Sequence, residues 1–185
     1  MARTESNRLA LGTIAPGFIL PDTISGEDIS LFEARGDVAT VIFFICNHCP
    51  FVIHINQELV AIANAYSSKK VSFIAISSND IVNYPQDAPH LMKKNAKKFH
   101  YPFPYLYDET QEVAQLYDAA CTPDIYMFDA NLKLIYHGQL DDSRPQNGKP
   151  LTGKDLRHAL DCIVTGKENA ELQIPSLGCG IKWKE

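Results

Sequence analysis

Cys46 and Cys49 enclose Asn47 and His48, and this four-residue run carries the richest chemistry in the sequence. The reactive form of cysteine is the thiolate, and a two-residue spacer brings a second thiol within reach of any disulfide the first has formed. Before the run, Ala39 to Ile45 is β-branched and aromatic without alternation, as in a strand buried on both faces. After it, Val52, Ile55, Leu59, Ile62 and Tyr66 follow helical spacing from Pro50 to Tyr66, with Asn56, Gln57 and Asn64 elsewhere on the wheel. A helix N-terminus supplies unpaired N–H groups and the positive end of a dipole, both of which favour a thiolate. Thiol-disulfide exchange follows: Cys46 attacks as thiolate and Cys49 resolves the mixed disulfide. His48 is placed to donate a hydrogen bond or partial positive charge to Cys46; a histidine that merely fills the turn is the alternative.

Those two elements need partners. Phe18 to Leu20 and Ile29 to Leu31 read as an N-terminal hairpin, and Val71 to Ile76 as a second buried strand closing a right-handed β-α-β unit. Asp87 and Pro89 read as the N-cap and early positions of a helix ending near Phe99, followed by a strand from Tyr105 to Tyr107. Asp108 with Gln111 resembles a capping box opening a helix through Tyr117, and Ile125 to Phe128 with Leu132 to Tyr136 a hairpin. Thr152 with Asp155 offers a second box for a last helix over about 153–165, stopped by Gly166. No repeat or linker divides the chain, so residues 1–185 read as one domain with a core over about 12–165 and a tail over 167–185.

With 45% hydrophobic and 21% charged residues, the composition is that of an ordinary globular protein. A net charge of −5 argues against a nucleic-acid partner, and Lys93, Lys94, Lys97 and Lys98 read as a solvated helix face. The polar start and the short, Gly- and Pro-interrupted apolar cluster after it do not resemble a secretory signal, so a cytoplasmic protein with no membrane partner is expected. Five cysteines at 46, 49, 121, 162 and 179 then read as reactive or buried thiols rather than a disulfide framework. Neither a Gly-x-Ser-x-Gly elbow nor a phosphate loop occurs. A tetrahedral zinc site would need Cys121 or Cys179 to join the pair, so no metal is expected, and exchange requires no organic cofactor.

The order strand, Cys-x-x-Cys, helix, with Cys121-Thr122-Pro123-Asp124 before a hairpin, resembles the thioredoxin superfamily. Ala15-Pro16-Gly17-Phe18-Ile19-Leu20 resembles the start of its redoxin branch, shared with alkyl hydroperoxide reductases. Phe44 to Phe51, Asp141-Asp-Ser-Arg144 and Gly178 to Trp183 resemble a subgroup of thioredoxin-like redoxins. The resemblance implies an α/β thioredoxin-like fold: a central mixed sheet flanked by helices, with an N-terminal hairpin and a C-terminal tail. It implies a cis Pro123 facing the cysteines, and a Thr122 backbone available to pair with an extended substrate.

The chain departs from the thioredoxin pattern at Ile45, where that family has tryptophan, and at Thr40, where it has a buried acid. The peroxiredoxin signature Pro-x-x-x-Thr-x-x-Cys is absent, since counting back from Cys49 puts Cys46 and Ile42 at the threonine and proline positions. Cys121, beside the proline loop, is either a third redox thiol or a small buried residue, and Cys162 reads as core. Cys179, flanked by glycines in the tail, could fold across the site in a resolving or gating role. The expected activity is exchange on a protein or small-molecule disulfide, with a thiol reductant as recycling partner. The alternatives are a thiol peroxidase or a binding module switched by its redox state.

Overall fold

The structure is a computed structural model that describes residues 3–185. In chain order it contains β1 (Arg3–Glu5), β2 (Ile19–Pro21), β3 (Asp28–Ser30), α1 (Leu31–Ala34), β4 (Ala39–Phe44), α2 (Pro50–Ser67) and β5 (Val71–Ser77). A 3-10 turn over Pro85–Asp87 leads into α3 (Pro89–Phe99), β6 (Tyr105–Tyr107), α4 (Glu112–Leu116), β7 (Cys121–Thr122) and β8 (Asp124–Asp129). The chain closes with β9 (Leu134–His137), α5 (Lys154–Val164) and β10 (Leu177–Gly180).

The main sheet has the order β6-β5-β4-β8-β9, parallel from β6 to β4 and antiparallel from β4 to β9. All six residues of β4 are buried, because the period-2 alternation of a strand divides them between two cores. Val41, Phe43 and Ile45 pack with the Val52, Ile55, Leu59 and Ile62 face of α2. Ile42 and Phe44 pack on the other side with Leu31, Tyr117, Tyr126 and Phe128. Each such apolar side chain contributes roughly 1.5–3 kcal/mol on burial, so β4 is pinned from both faces and Cys46 emerges from a rigid edge. The N-terminal hairpin is present as β2 and β3, a separate two-stranded sheet.

The tail is not an appendage. Its β10 is the middle strand of a third sheet, β1-β10-β7, with Arg3 opposite Cys179 on one side and Thr122 opposite Cys179 on the other. Beyond it, Ile181 N–H donates to Ala120 O and Lys182 N–H to Asn79 Oδ1. Gln111 Nε2 donates to Lys182 O, and Lys184 N–H to Gln111 Oε1.

Both capping boxes are corrected. Gln111 is committed to the tail, while Asp108 reaches over it to accept from Val113 and Ala114 N–H. Asp155 accepts from Gln139 Nε2 and Lys154 Nζ, and the N–H groups of Thr152 and Gly153 go to the buried Asp141 carboxylate at 2.7 and 2.6 Å. Asn56 is buried rather than outward, and accepts from Tyr101 O–H. The four lysines of α3 are solvated, as expected, and no described helix is long and apolar enough to cross a membrane.

Candidate functional site

Cys46 leaves the end of β4 and Cys49 is the N-cap of α2, whose first residue is Pro50. Proline suits that position because it lacks only an N–H the helix would leave unpaired. Both sulfurs are buried. The Thr122-Pro123 peptide bond is cis, and Thr122 meets both thiols: its Oγ1 lies 3.4 Å from Cys46 Sγ, and its carbonyl accepts from Cys49 Sγ at 3.0 Å.

The charge in this pair does not sit where the helix-dipole argument expects. Cys46 lies in the loop before α2, and the neighbouring Cys49, then burial, then the Asp87 carboxylate raise its pKa well above the ordinary value. Cys49, at the helix terminus, is lowered to about 5 by the Cys46 thiol, the Cys179 thiol and Val52 N–H. Within this pair the direction runs toward a lowered Cys49 and a raised Cys46, the reverse of the order expected from sequence, and ionisation of Cys49 gives up the bond that its thiol donates to Thr122 O.

A consequence for pH follows directly. An unfolded cysteine titrates at about 8.5, so a Cys49 value depressed in the folded state contributes stability that is complete above pH ~8.5 and is lost as pH falls through about 5. Thiolate ultraviolet absorbance of the reduced protein should show a step near pH 5 that Cys49→Ser removes. A first step above pH 8 would contradict this assignment.

Asp87 is the residue the sequence reading missed. Instead of capping α3, whose N-cap is Ala88, its fully buried carboxylate turns to the cysteine loop. It accepts from Asn47 N–H at 2.8 Å, Asn79 Nδ2 at 2.8 Å and His48 Nδ1 at 2.7 Å. A carboxylate only accepts, so His48 carries its proton on Nδ1 and spends it on Asp87. Cys46 Sγ is 4.0 Å from that nitrogen, so His48 acts as a wall, stacked on Tyr84 with ring centroids 5.7 Å apart. Asn47 is tied down as well, donating from Nδ2 to Gln86 O and accepting from Tyr105 O–H.

Asp87→Asn should lower the Cys46 pKa, because it removes the negative charge that helps to raise it. The pH dependence of Cys46 alkylation in a Cys49→Ser background measures this, and an unchanged or higher value would refute it. The donors left less well satisfied should also cost roughly 1–3 kcal/mol of stability.

Ligand atoms of Cys46, His48 and Asp87 lie within 4.8 Å of one another, which is the composition of a metal-binding set. Both Asp87 oxygens are already taken by donors, so a cation there would have to break the His48–Asp87 bond.

The remaining sequence candidates separate clearly. Cys121 is fully buried, points at Pro123 O, and is held far above the ordinary thiol range by burial and Asp124. Cys162 is buried in α5, 3.5 Å from His158 Nε2. Cys179 lies with its sulfur 2.9 Å from Cys49 Sγ. The Thr122 backbone, expected to be open to substrate, is paired with Cys179 of the same chain. Thr40, at the position where thioredoxins carry an acid, is a structural residue whose Oγ1 accepts from Gly36 N–H. The Asp141–Arg144 motif builds a wall of the groove beside Pro123: Ser143 Oγ meets His54 Nε2 at 2.8 Å, and Arg144 donates to the Asp141 and Ser143 carbonyls.

The geometry can be set beside known proteins. A crystal structure of a conserved protein from Geobacillus kaustophilus is 58% identical, with a TM-score of 0.98 over all of this chain and 97% of that one. Thiol-disulfide oxidoreductase ResA of Geobacillus thermodenitrificans is 27% identical over 134 residues, 71% of this chain and 70% of that protein. The thioredoxin domain of a thiol-disulfide oxidoreductase from Bacteroides vulgatus, 19% identical, shares the fold with a TM-score of 0.60 over 74% of this chain and 91% of that one. The fold is thioredoxin-like, and the AhpC/TSA family profile matches residues 11–137, which span the cysteine pair, the strand and helix that hold it and the cis-proline. The chain belongs to the AhpC/TSA family, a redoxin built around the Cys46–Cys49 dithiol.

Proposed function

We propose that this protein is a thiol-disulfide oxidoreductase working by dithiol-disulfide exchange at Cys46 and Cys49. The observation that carries the reading is a pair of buried cysteines leading into α2, both in contact with Thr122 of the cis Thr122-Pro123 bond. The Cys49 thiolate serves as base: it takes the Cys46 proton as Cys46 attacks a substrate disulfide R–S–S–R′. The Cys46–S–S–R bond forms and R′S⁻ leaves, drawing the proton back from Cys49. The Cys49 thiolate then attacks Cys46 Sγ, forming the Cys46–Cys49 bond and releasing RS⁻. Cys46 is the attacking thiol because Cys49 is enclosed by Cys46, Thr122 O and Cys179, while Cys46 lies beside the part-exposed His48. The substrate is a disulfide-containing protein or small molecule, and a thiol reductant of the cytoplasm recycles the pair.

Single-turnover kinetics with oxidised glutathione and, separately, hydrogen peroxide test this. Exchange should be the faster reaction and leave Cys46 in a mixed disulfide when Cys49 is serine. A peroxide reaction that outruns exchange and yields a Cys46 sulfenate would favour the second reading, a thiol peroxidase, which membership of the AhpC/TSA family supports.

A further inference from the structure

We propose that Cys179 is a third redox thiol of this site, receiving the disulfide from the Cys46–Cys49 pair as a buried Cys49–Cys179 bond. The inference rests on the exchange reading and extends it to a residue outside the 11–137 span matched to the family.

The two sulfurs are 2.9 Å apart, within about 1 Å of a disulfide bond, whose length is ~2.05 Å. This proximity is built rather than incidental. β10 is bonded on both edges, and Gly178 lies so close to β7 that a Cβ there would fall 2.5 Å from the Thr122 carbonyl carbon and 3.0 Å from Pro123 N. The tail then continues to Lys182, whose backbone is fixed by Asn79, Asp80 and Gln111 and whose Nζ lies 5.5 Å from the Tyr84 ring centroid. Cys179 is buried, as are Cys46 and Cys49, and is held between β1 and β7. The sulfur within its reach is Cys49, since Cys121 faces Pro123 O and Cys162 lies on α5.

The transfer is balanced without a further oxidant. Cys179 attacks Cys49 Sγ, the Cys46–Cys49 bond breaks as the Cys49–Cys179 bond forms, and the Cys179 proton passes to the departing Cys46 sulfur. No net oxidation occurs; one disulfide changes place. In the reduced site burial and the neighbouring Cys49 thiolate hold the Cys179 thiol up at about 12. Closing the Cys46–Cys49 bond removes that thiolate and leaves Lys182 nearby, so Cys179 becomes more acidic when its attack is needed. The outcome is a free Cys46 with the oxidising equivalent stored out of solvent, and the bond returns to the surface by the reverse attack of Cys46 on Cys49.

Full-length wild type and Cys46→Ser are oxidised with diamide at low protein concentration, remaining thiols are alkylated, and linked peptides are mapped by mass spectrometry without reduction. The expected result is a Cys49–Cys179 bond as the main product in Cys46→Ser, with loss of Cys179 alkylation. In wild type, two isomers are expected, Cys46–Cys49 and Cys49–Cys179. A wild type that forms only Cys46–Cys49, with Cys179 alkylated throughout and Cys49 of the variant found only in adducts or between chains, overturns the relay and leaves exchange standing. An oxidised wild type that holds neither a Cys46–Cys49 nor a Cys49–Cys179 bond overturns the exchange reading and the relay with it.

Discussion

Cys46→Ser is expected to reduce disulfide turnover by on the order of 10³-fold or more, the scale on which removal of a catalytic nucleophile acts. A serine hydroxyl stays protonated at neutral pH, and its neighbours do not change that: a Cys49 thiolate, lowered to about 5, is too weak a base for a hydroxyl, His48 Nδ1 is committed to Asp87, and Thr122 offers a hydroxyl. Cys49→Ser is expected to differ in kind. The first attack loses its base and slows, and the Cys46 mixed disulfide then persists because no other thiol touches it. Rates with oxidised glutathione, together with the mass of the trapped species, separate the two variants. Near wild-type turnover by Cys46→Ser would mean that Cys49 attacks directly.

Gly178→Val should be the most destabilising single change in the tail, at about 3 kcal/mol, the upper part of the range for overpacking. The added side chain meets backbone, the Thr122 carbonyl and Pro123 N, rather than a side chain that can rotate away. β10 must therefore shift from β7, and Cys179 shifts with it from Cys49. At this chain length such a loss corresponds to a melting temperature lower by about 6–12 °C. Calorimetry measures the stability term, and the pH of the thiolate step reads the site: losing the Cys179 hydrogen bond should move the Cys49 step upward. An unchanged melting temperature would show that the close approach of β10 to Thr122 is not needed.

The parts of this architecture that could be read from sequence are those whose signal is local. β4 announces itself as a run of buried β-formers, α2 by apolar residues at helical spacing, and the cysteine pair by falling between them. What could not be read depends on pairing over long separations. Arg3–Glu5 is polar and Leu177–Gly180 half glycine, so neither resembles a strand, and they become strands only because β7 and each other's backbones are there to bond. Asp87 failed for a different reason. An acidic residue two positions before a helix-starting proline is a good cap on local grounds, and only the fold brings Asn47 and His48 to its carboxylate. Asn56 is the same lesson at a smaller scale, a polar residue whose burial depends on Tyr101 reaching it from beyond α3.

The cysteine assignments show where sequence alone stops. The spacing of Cys46 and Cys49 identifies the chemistry, but the order of their acidities depends on what surrounds each sulfur, Asp87 near Cys46 and Cys179 beside Cys49. Cys121 and Cys179 looked comparable, each in a short loop-like setting. The structure sends one sulfur toward a proline carbonyl and the other against Cys49.

The most direct test of the central claim is a redox titration of the full-length protein in glutathione buffers of graded potential, with thiols alkylated at each point and the linked cysteines identified by mass spectrometry. Exchange at the dithiol predicts a reversible two-electron transition in which Cys49 loses alkylation and a Cys46–Cys49 bond appears, joined by its Cys49–Cys179 isomer where the relay operates. A protein whose Cys46 and Cys49 remain alkylatable across the whole range, or are lost irreversibly to higher oxidation states, would contradict it.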